Sequence, residues 1–466
     1  MKRTEIRVSG SASSYDEGHL ILVRAPAGGP CCCSRVSMRR RDPAKVVNGG
    51  GEIGSLGNDR VSDDLFMHVR VLHLSHTDIR ADSRVLKQLN SLREGIPSAE
   101  VHAYGLANRE GGPDGSPRAP DGLRIISPAS RRLRFVGRHV RYVATWAEMS
   151  CRMLAAGWRV RPSLVHCHDI LVLPAAYVIS RLCGSALVYD AHELESERNG
   201  MSRRGSRWCL QIERWCWRRI SLLVSVSPSI LEWYSENLGP KPSVLVLNSP
   251  VLPAPCPSEV VRERRSFGEQ GYFHKCFGIP EGTPVFIYLG LLVRGRGIEP
   301  VLEVFGRPRL RSHVVFMGYG DTVGVSSHAE RFPNIHLHPA VPHDQVVQIV
   351  READCGLCLI EDVSLSDRLC LPNKLFEYAF AGVPVLASRL PEIARVVGDF
   401  GLGICCDNDA DSIEAAVRKI EREGLEPPTG DLTELSWETQ AKRLQEAYRT
   451  LLAERKLVAT GTKGEH

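Results

Sequence analysis

Leu371-Pro372-Asn373-Lys374-Leu375-Phe376-Glu377-Tyr378, followed by Ala381-Gly382-Val383-Pro384-Val385, is the stretch that decides how this chain of 466 residues is read. Pro372 suits the end of an extended loop, and Asn373 suits the cap of the helix that follows. Gly382 and Pro384 stop that helix and lead into a buried apolar strand. The free N–H groups and positive dipole end of such a helix form a seat for a phosphate. Glu377, about one turn in, is placed to accept both hydroxyls of a ribose. The same residues also fit a plain capped helix with a solvated first-turn acid, and local chemistry alone does not separate the two readings.

Working outward, apolar strand-like runs and helix-length segments alternate along the chain. The first series has strands over 68–74, 100–104, 164–167, 186–189, 222–226 and 244–247. A Pro-rich linker with Pro250, Pro253, Pro255 and Pro257 follows. The second series has strands over 285–289, 313–317, 335–338, 355–360 and 383–387. Alternating strands and helices make parallel sheets covered on both faces, so the expectation is two doubly wound α/β domains, 67–252 and 268–434, with a cleft between them. A final helix over 435–456 returns to the first domain, and 457–466 is a disordered tail. Residues 1–66 are rich in Gly, Ser and Arg without periodicity, and read as a disordered leader upstream of a true start at Met67. Mass spectrometry of the native N-terminus tests this, since any peptide from the leader would refute it.

Composition narrows the function classes. A net charge of +5 suits an anionic ligand or a membrane surface and is too weak to argue for nucleic acid. The 15 cysteines, with runs at Cys31-Cys32-Cys33 and Cys405-Cys406, fit neither a disulfide framework nor paired zinc spacing, and read as free thiols in a reducing cytosol. No apolar run approaches the ~18–20 residues that span a bilayer. The expected place is the cytoplasm, with contact at the inner membrane face. The stretch with Arg131, Arg132, Arg134, Arg138 and Arg141 among Phe135, Val136, Val140, Val143 and Trp146 reads as an amphipathic basic helix, suited to anionic lipid or simply to solvent.

Three further segments carry chemistry. In Tyr288-Leu289-Gly290-Leu291-Leu292-Val293-Arg294-Gly295-Arg296-Gly297 a strand ends in a Gly-rich loop with two arginines, which pair with phosphate oxygens or are solvated in a surface turn. Val188-Tyr189-Asp190-Ala191-His192-Glu193 sits at a strand end, where an imidazole can meet a reacting sugar or an acceptor. Ser75-His76-Thr77-Asp78-Ile79-Arg80-Ala81-Asp82-Ser83-Arg84 follows the first strand; Asp82 either caps the next helix or joins His76, Arg84, Asp190 and Glu193 on the acceptor side. Phe316-Met317-Gly318-Tyr319-Gly320 supplies a weak G-x-G turn. His166-Cys167-His168-Asp169 has metal-ligand types, with His166 and His168 on one strand face, but further ligands at metal spacing are missing; the string reads as a cleft-edge strand and no metal is expected.

These motifs resemble those of glycosyltransferase family 4, in its PNK-x-x-E variant, over roughly residues 67–455. The resemblance implies a GT-B fold of two facing Rossmann-like domains and transfer from a nucleotide-diphosphate sugar with retention of configuration. It also implies a glycan or lipid-linked acceptor, a role in cell-surface polysaccharide or glycolipid synthesis, and no metal or other cofactor. By the same resemblance Glu377 holds the donor ribose, Arg296-Gly297 stands where Lys-Gly is usual, and His192 lies near the donor sugar. Gly290, Arg294, Gly318, Asn373 and Lys374 complete the donor side. Two departures stand out. Leu291 occupies the usual Arg position of the diphosphate loop, with Arg294 as a substitute, and Leu369 occupies the position of a second glutamate near the transferred sugar. A nucleotide-sugar epimerase on the same fold and a noncatalytic nucleotide-sugar-binding subunit are the alternatives.

Overall fold

The computed structural model of the protein describes residues 69–107, 122–132, 137–251, 266–293 and 295–461. The leader, most of the linker, Arg294, Arg134, Phe135, Val136 and residues 462–466 lie outside the described residues.

Seven strands form the first sheet: β1 (Arg70–Ser75), β2 (Glu100–Leu106), β3 (Leu123–Ile126), β4 (Leu164–His168), β5 (Ala186–Ala191), β6 (Leu222–Ser225) and β7 (Ser243–Leu245). Their order is β3-β2-β1-β4-β5-β6-β7, every pair parallel. The second sheet holds β8 (Val285–Leu292), β9 (His313–Gly320), β10 (Ile335–His338), β11 (Cys355–Cys358), β12 (Val385–Ser388) and β13 (Gly403–Cys406), ordered β10-β9-β8-β11-β12-β13 and again parallel. This is the doubly wound α/β architecture expected, repeated twice. β3 and β13 are additional to the strands read from the sequence. Both are four-residue edge strands in which only half or fewer of the residues are buried, so their apolar pattern is faint.

Helices of the first half are α1 (Ser83–Gly95), α2 (Arg138–Val160), α3 (Leu173–Cys183), α4 (Arg203–Trp217) and α5 (Pro228–Leu238). The second half adds α6 (Tyr272–Phe277), α7 (Ile298–Phe305), α8 (Thr322–Ala329), α9 (Val346–Val350), α10 (Leu365–Arg368), α11 (Asn373–Phe380), α12 (Pro391–Asp399) and α13 (Ala410–Glu423), and α14 (Trp437–Gly461) closes the chain. The basic helix read over residues 131–146 is corrected: a short turn occupies Ala129–Arg132, and the helix proper begins at Arg138 behind Gly137. The last helix runs to Gly461, beyond the 456 expected.

The period of two along each buried strand sorts the first sheet into two faces. Val71, Leu164, Ala186 and Val188 pack with Val85, Leu89 and Leu92 of α1 and with Trp437, Leu444 and Tyr448 of α14. Leu72, Leu74, Val165, Cys167, Leu187 and Tyr189 pack with α2, α3 and α4 on the other face. α14 therefore belongs to the first domain's core, and Gln445 of α14 donates to the Ser91 carbonyl of α1 at 2.7 Å. Among the described residues no helix is long and apolar enough to cross a membrane, and the described cysteines are all free.

The second half depends on close backbone approach at the end of β8. Gly318 lies so near Gly290 that a Cβ on it would sit 1.8 Å from the Gly290 carbonyl oxygen. Gly297 has φ of 76°, and a Cβ there would sit 2.1 Å from the Leu359 carbonyl oxygen. A Gly297→Ala substitution should therefore destabilise the protein by about 2 kcal/mol or more, from left-handed strain plus the clash. Urea denaturation checks this, and an unchanged midpoint would show that the loop gives way without cost.

Candidate functional site

The strand order reverses between β1 and β4 in one sheet and between β8 and β11 in the other. Ligands of doubly wound sheets bind beyond the carboxyl ends of strands at such points. A cleft of about 750 Å³ opens there, lined by Asp82, Arg84, His192 and Glu193 from the first half and by Gly290, Arg296, Gly318, Asn373, Lys374 and Glu377 from the second. His76 and Asp190 are not among its lining residues. Arg294 lies outside the described residues.

On the second-half wall, β8 ends at the glycine loop that carries Arg296, and α11 points its N-terminus into the same cleft. The expected cap is corrected: Pro372 holds the cap position, Asn373 is the first helical residue, and no side chain caps the end. A proline cannot supply a side-chain acceptor, so no side chain competes for the N–H groups of the first turn. Lys374 is buried, and its Nζ, without a hydrogen-bond partner, lies 3.6 Å from the centroid of the Tyr288 ring. Burial, reinforced by the nearby Arg296 charge, lowers the Lys374 pKa to about 8. Glu377 is also buried, and burial raises its carboxyl to about 7 against the opposing pull of Lys87 and Lys374. His343, 3.7 Å from Glu377 through Nδ1, joins this wall without any signal in its sequence surroundings.

Leu369 takes no place on the cleft wall. It packs against the first domain's core, and its carbonyl accepts a hydrogen bond from Ser227 Oγ at 2.7 Å. Glu361, in the preceding acidic loop, accepts from the Gly297 N–H at 3.1 Å. Asp362 pairs with Arg368 at 3.2 Å.

On the first-half wall, alternation changes character towards the strand ends. Val71, Leu164 and Val188 give way on the same face to His73, to His166 and His168, and to Asp190. α1 and α14 cover these polar groups with their own. Arg84 donates to Asp190 at 2.7 and 3.3 Å, Gln88 donates to it at 2.7 Å, and the Tyr448 hydroxyl meets His166. Despite complete burial, Arg84 and His192 hold the Asp190 carboxyl well below the usual range. Arg84 is itself buried, so Asp190 and Arg84 form an internal pair at the floor of the cleft, of which Arg84 alone reaches the lining. Asp82 caps α1, accepting from the Val85 N–H at 3.2 Å and from the Thr77 hydroxyl at 2.6 Å. Glu193 pairs with Arg198 at 2.9 Å.

His192 stands between two carboxylates, with Nε2 3.2 Å from Asp190 and Nδ1 3.5 Å from Asp169. Burial opposes its charge, but Asp169 and Asp190 outweigh it and raise the pKa to about 9. Asp169 also faces His76 at 3.5 Å. Its φ of 69° is left-handed, a backbone strain that a non-glycine residue keeps only where its surroundings hold it. The sequence offers Asp169 only as the end of a His-Cys-His-Asp string at a cleft-edge strand; its place beside His192 comes from the fold.

Two sets of side chains have metal-ligand types within reach of one another: His73, His166 and His168, and His168, Asp190 and His192. The first three rings stack with interplanar angles of 14 to 28°. His73 Nδ1 and His168 Nε2 lie 3.0 Å apart and share a hydrogen bond, so these two nitrogens already satisfy each other. In the second set Asp190 is already engaged by Arg84, whose charge opposes a divalent ion at the same oxygens.

Residues 85–250 match the model of a glycosyl transferase 4-like domain, and residues 283–422 match that of glycosyl transferases group 1. Glycogen synthase of Mycobacterium tuberculosis is 22% identical over 329 residues, covering 66% of this chain and 73% of that protein. Among solved structures, sucrose-phosphate synthase from Thermosynechococcus elongatus is similar with a TM-score of 0.58 and 14% identity, covering 83% of this chain and 94% of that one. Anabaena HepE in complex with UDP-glucose gives 0.55 and 11%, covering 84% and 100%. The Escherichia coli structure described as trehalose-6-phosphate bound with UDP-2-fluoro glucose gives 0.54 and 12%, covering 85% and 99%. At these identities the structural likeness speaks for a shared fold.

The internal pair and the flanked imidazole make two testable statements. Arg84→Ala leaves Asp190 charged and buried, and should cost about 3–5 kcal/mol of stability in urea denaturation; a loss below about 1 kcal/mol would mean water reaches the carboxylate. His192 has a native pKa of about 9, above the unfolded 6.5, so its stabilisation is complete below 6.5 and disappears as pH rises through 9. The wild type should lose this increment over that window and His192→Gln should not; parallel pH profiles would refute it.

Proposed function

The chain belongs to the group 1 glycosyltransferases of GT-B architecture, and on that footing we propose that it moves a sugar from a nucleotide-diphosphate donor to a glycan or lipid-linked acceptor with retention of anomeric configuration. The observation that carries this reading is the meeting of Arg296, Lys374 and the uncapped start of α11 on one wall of the cleft, opposite His192. Cleavage of the bond between the anomeric carbon and the diphosphate oxygen leaves negative charge on the departing nucleoside diphosphate. Arg296 and the first N–H groups of α11 receive that charge. Lys374 supplies a second cation where the loop has Leu291, since its Nζ is buried and unpartnered and its Cε lies 3.9 Å from where a Cβ on Gly290 would sit. Glu377 accepts the ribose hydroxyls in its ionised form. His192, protonated between Asp169 and Asp190, orients the donor sugar from the opposite wall.

The acceptor hydroxyl attacks the same face of the sugar from which the diphosphate leaves. Its oxygen forms the new bond to the anomeric carbon, and its proton passes to the departing phosphate oxygen. No metal or other cofactor takes part in this scheme, and no nucleic acid is a partner. Synthesis of a cell-surface polysaccharide or glycolipid, with the enzyme touching the anionic inner membrane face from the cytoplasm, completes the proposal.

A thermal-shift screen of UDP, GDP, ADP and TDP tests the donor site. One diphosphate should raise the melting point, because a ligand present at about 100 times its Kd stabilises the native state by roughly 2.7 kcal/mol. Glu377→Ala should weaken that shift, and equal shifts in both proteins would remove Glu377 from the site. Lys374→Met should lower kcat for transfer by about 10²–10³, the usual loss when one donor to a developing oxyanion is removed. Transfer or slow donor hydrolysis supports the transferase, an isomerised donor an epimerase, and binding without turnover a noncatalytic subunit.

A further inference from the structure

The face of the first domain built by α2, α3 and α4 is unusual for a surface in contact with water alone. Trp208 and Trp215 of α4 are 72% and 56% exposed, Trp158 of α2 is 58% exposed, and Leu182 of α3 is 63% exposed. Exposed tryptophans are scarce on soluble surfaces and enriched where one side of the ring is apolar and the other wet. On α4 they fall on one stripe. Arg204, Trp208, Gln211, Trp215 and Arg218 are spaced four, three, four and three residues apart, the repeat of a single helix face, and all are exposed.

The three helices lie side by side. Met149 and Met153 of α2, Ala176 and Ile179 of α3, and Cys216 and Trp217 of α4 enter the same core. The ring of Tyr177 in α3 lies 4.3 Å from that of Trp215. Each helix follows a strand and runs back along the sheet, so their N-terminal ends, with Val140, Tyr142 and Val143 on α2 and Arg203 and Arg204 on α4, lie towards the cleft. The exposed surface thus continues from the cleft side to the far edge of the domain, where Trp158 and Leu182 sit.

Charge selects the partner. The three helices carry nine arginines and two acids. Of the acids, Glu148 is paired with Arg152 at 2.6 Å and Glu213 is buried, hydrogen-bonded to the Tyr189 and Tyr234 hydroxyls. A second copy of the same face would set arginine against arginine, whereas an anionic lipid surface meets both the guanidinium groups and the indole rings. Trp146, grouped in the sequence with the apolar residues of the basic stretch, turns inward and donates to the Leu171 carbonyl at 2.9 Å.

We propose that the α2–α3–α4 face, anchored by Trp208 and Trp215 and steered by the α4 arginines, docks the protein on an anionic bilayer surface. The proposal deepens the membrane contact in the reading above and rests on it only for the purpose of docking, since binding is measured without donor or acceptor. The full chain is sedimented with vesicles of phosphatidylcholine alone or with phosphatidylglycerol added. The wild type should bind the anionic vesicles, with binding weakened by salt, and leave the neutral ones. Trp208→Ser/Trp215→Ser should lower apparent partitioning about tenfold, and Arg204→Glu/Arg207→Glu/Arg214→Glu should abolish the preference for anionic lipid. Both variants should keep the wild-type thermal shift with the nucleoside diphosphate, which excludes unfolding as the cause. No binding, equal binding to both vesicle types, or binding unchanged in both variants overturns the proposal. So does a dimer in sedimentation velocity that the tryptophan variant dissolves, which would assign the face to self-association. Vesicle binding by a protein that no diphosphate stabilises would sink the transferase reading and leave the docking face standing.

Discussion

The carboxylate of Asp190 lies fully buried at the end of β5, and the first domain's contribution to the cleft is organised around it. A buried charge is costly unless its partners satisfy it. Here the partners come from separate elements: Arg84 and Gln88 from α1, His166 from β4, and His192 just beyond β5. Arg84 also donates to the Val246 carbonyl at 3.1 Å, which ties the pair to the chain beyond β7. Satisfying this one group therefore fixes where α1 sits on the sheet and which way the His192 ring turns. Asp169 then takes the other ring nitrogen from its strained position after β4. With both nitrogens flanked by carboxylates, the imidazole is held as a cation at the cleft wall.

The opposite wall follows a different logic. There the backbone does the positioning, and side chains are few. Gly297 and Gly318 let the backbone approach the Leu359 and Gly290 carbonyls more closely than any Cβ permits, and Gly290 itself holds a φ of 118°. α11 ends without a side-chain cap, which suits a terminus that waits for an anion. Lys374 is held over the Tyr288 ring with no acceptor for its ammonium, a costly arrangement that an anionic ligand would relieve. One wall is thus built from over-satisfied charge and the other from under-satisfied donors. That asymmetry suits a cleft in which the second half grips a diphosphate while the first half presents a fixed cation to what is attached to it.

Particular residues show what was legible before any coordinates. Glu377 and the start of α11 stand out because proline, asparagine and glycine punctuate the chain around a short helix. Asp190 and His192 stand out because a polar string interrupts an apolar strand. His343 and Lys87 gave no such signal, and Asp169 showed only as the end of a His-Cys-His-Asp string. Asp169 is distinguished by a positive φ, His343 reaches Glu377 from a loop far away in sequence, and Lys87, whose Nζ hydrogen-bonds Asn248 at 2.8 Å, lies mid-helix on α1. The tryptophans of α4 were equally silent, because an amphipathic helix with Trp208, Trp215 and Trp217 does not announce which of its rings the core takes. The structure buries Trp217 and leaves the other two outside.

The sequence by itself determined the two parallel α/β sheets, through the alternation of buried strands with helices, and the identity of the segments at their carboxyl ends. These are local matters, set by periodicity of two or 3.6 and by turn residues. Only the tertiary structure decided that Arg84 is an internal partner of Asp190, that Leu369 serves as a contact between the halves, and that Lys374 stands beside the loop where Leu291 leaves no cation. Each of those outcomes depends on which side chains the fold brings together across long stretches of chain. Burial then makes an unpaired charge costly, so the pairing found in space, and not the spacing along the chain, settles each role.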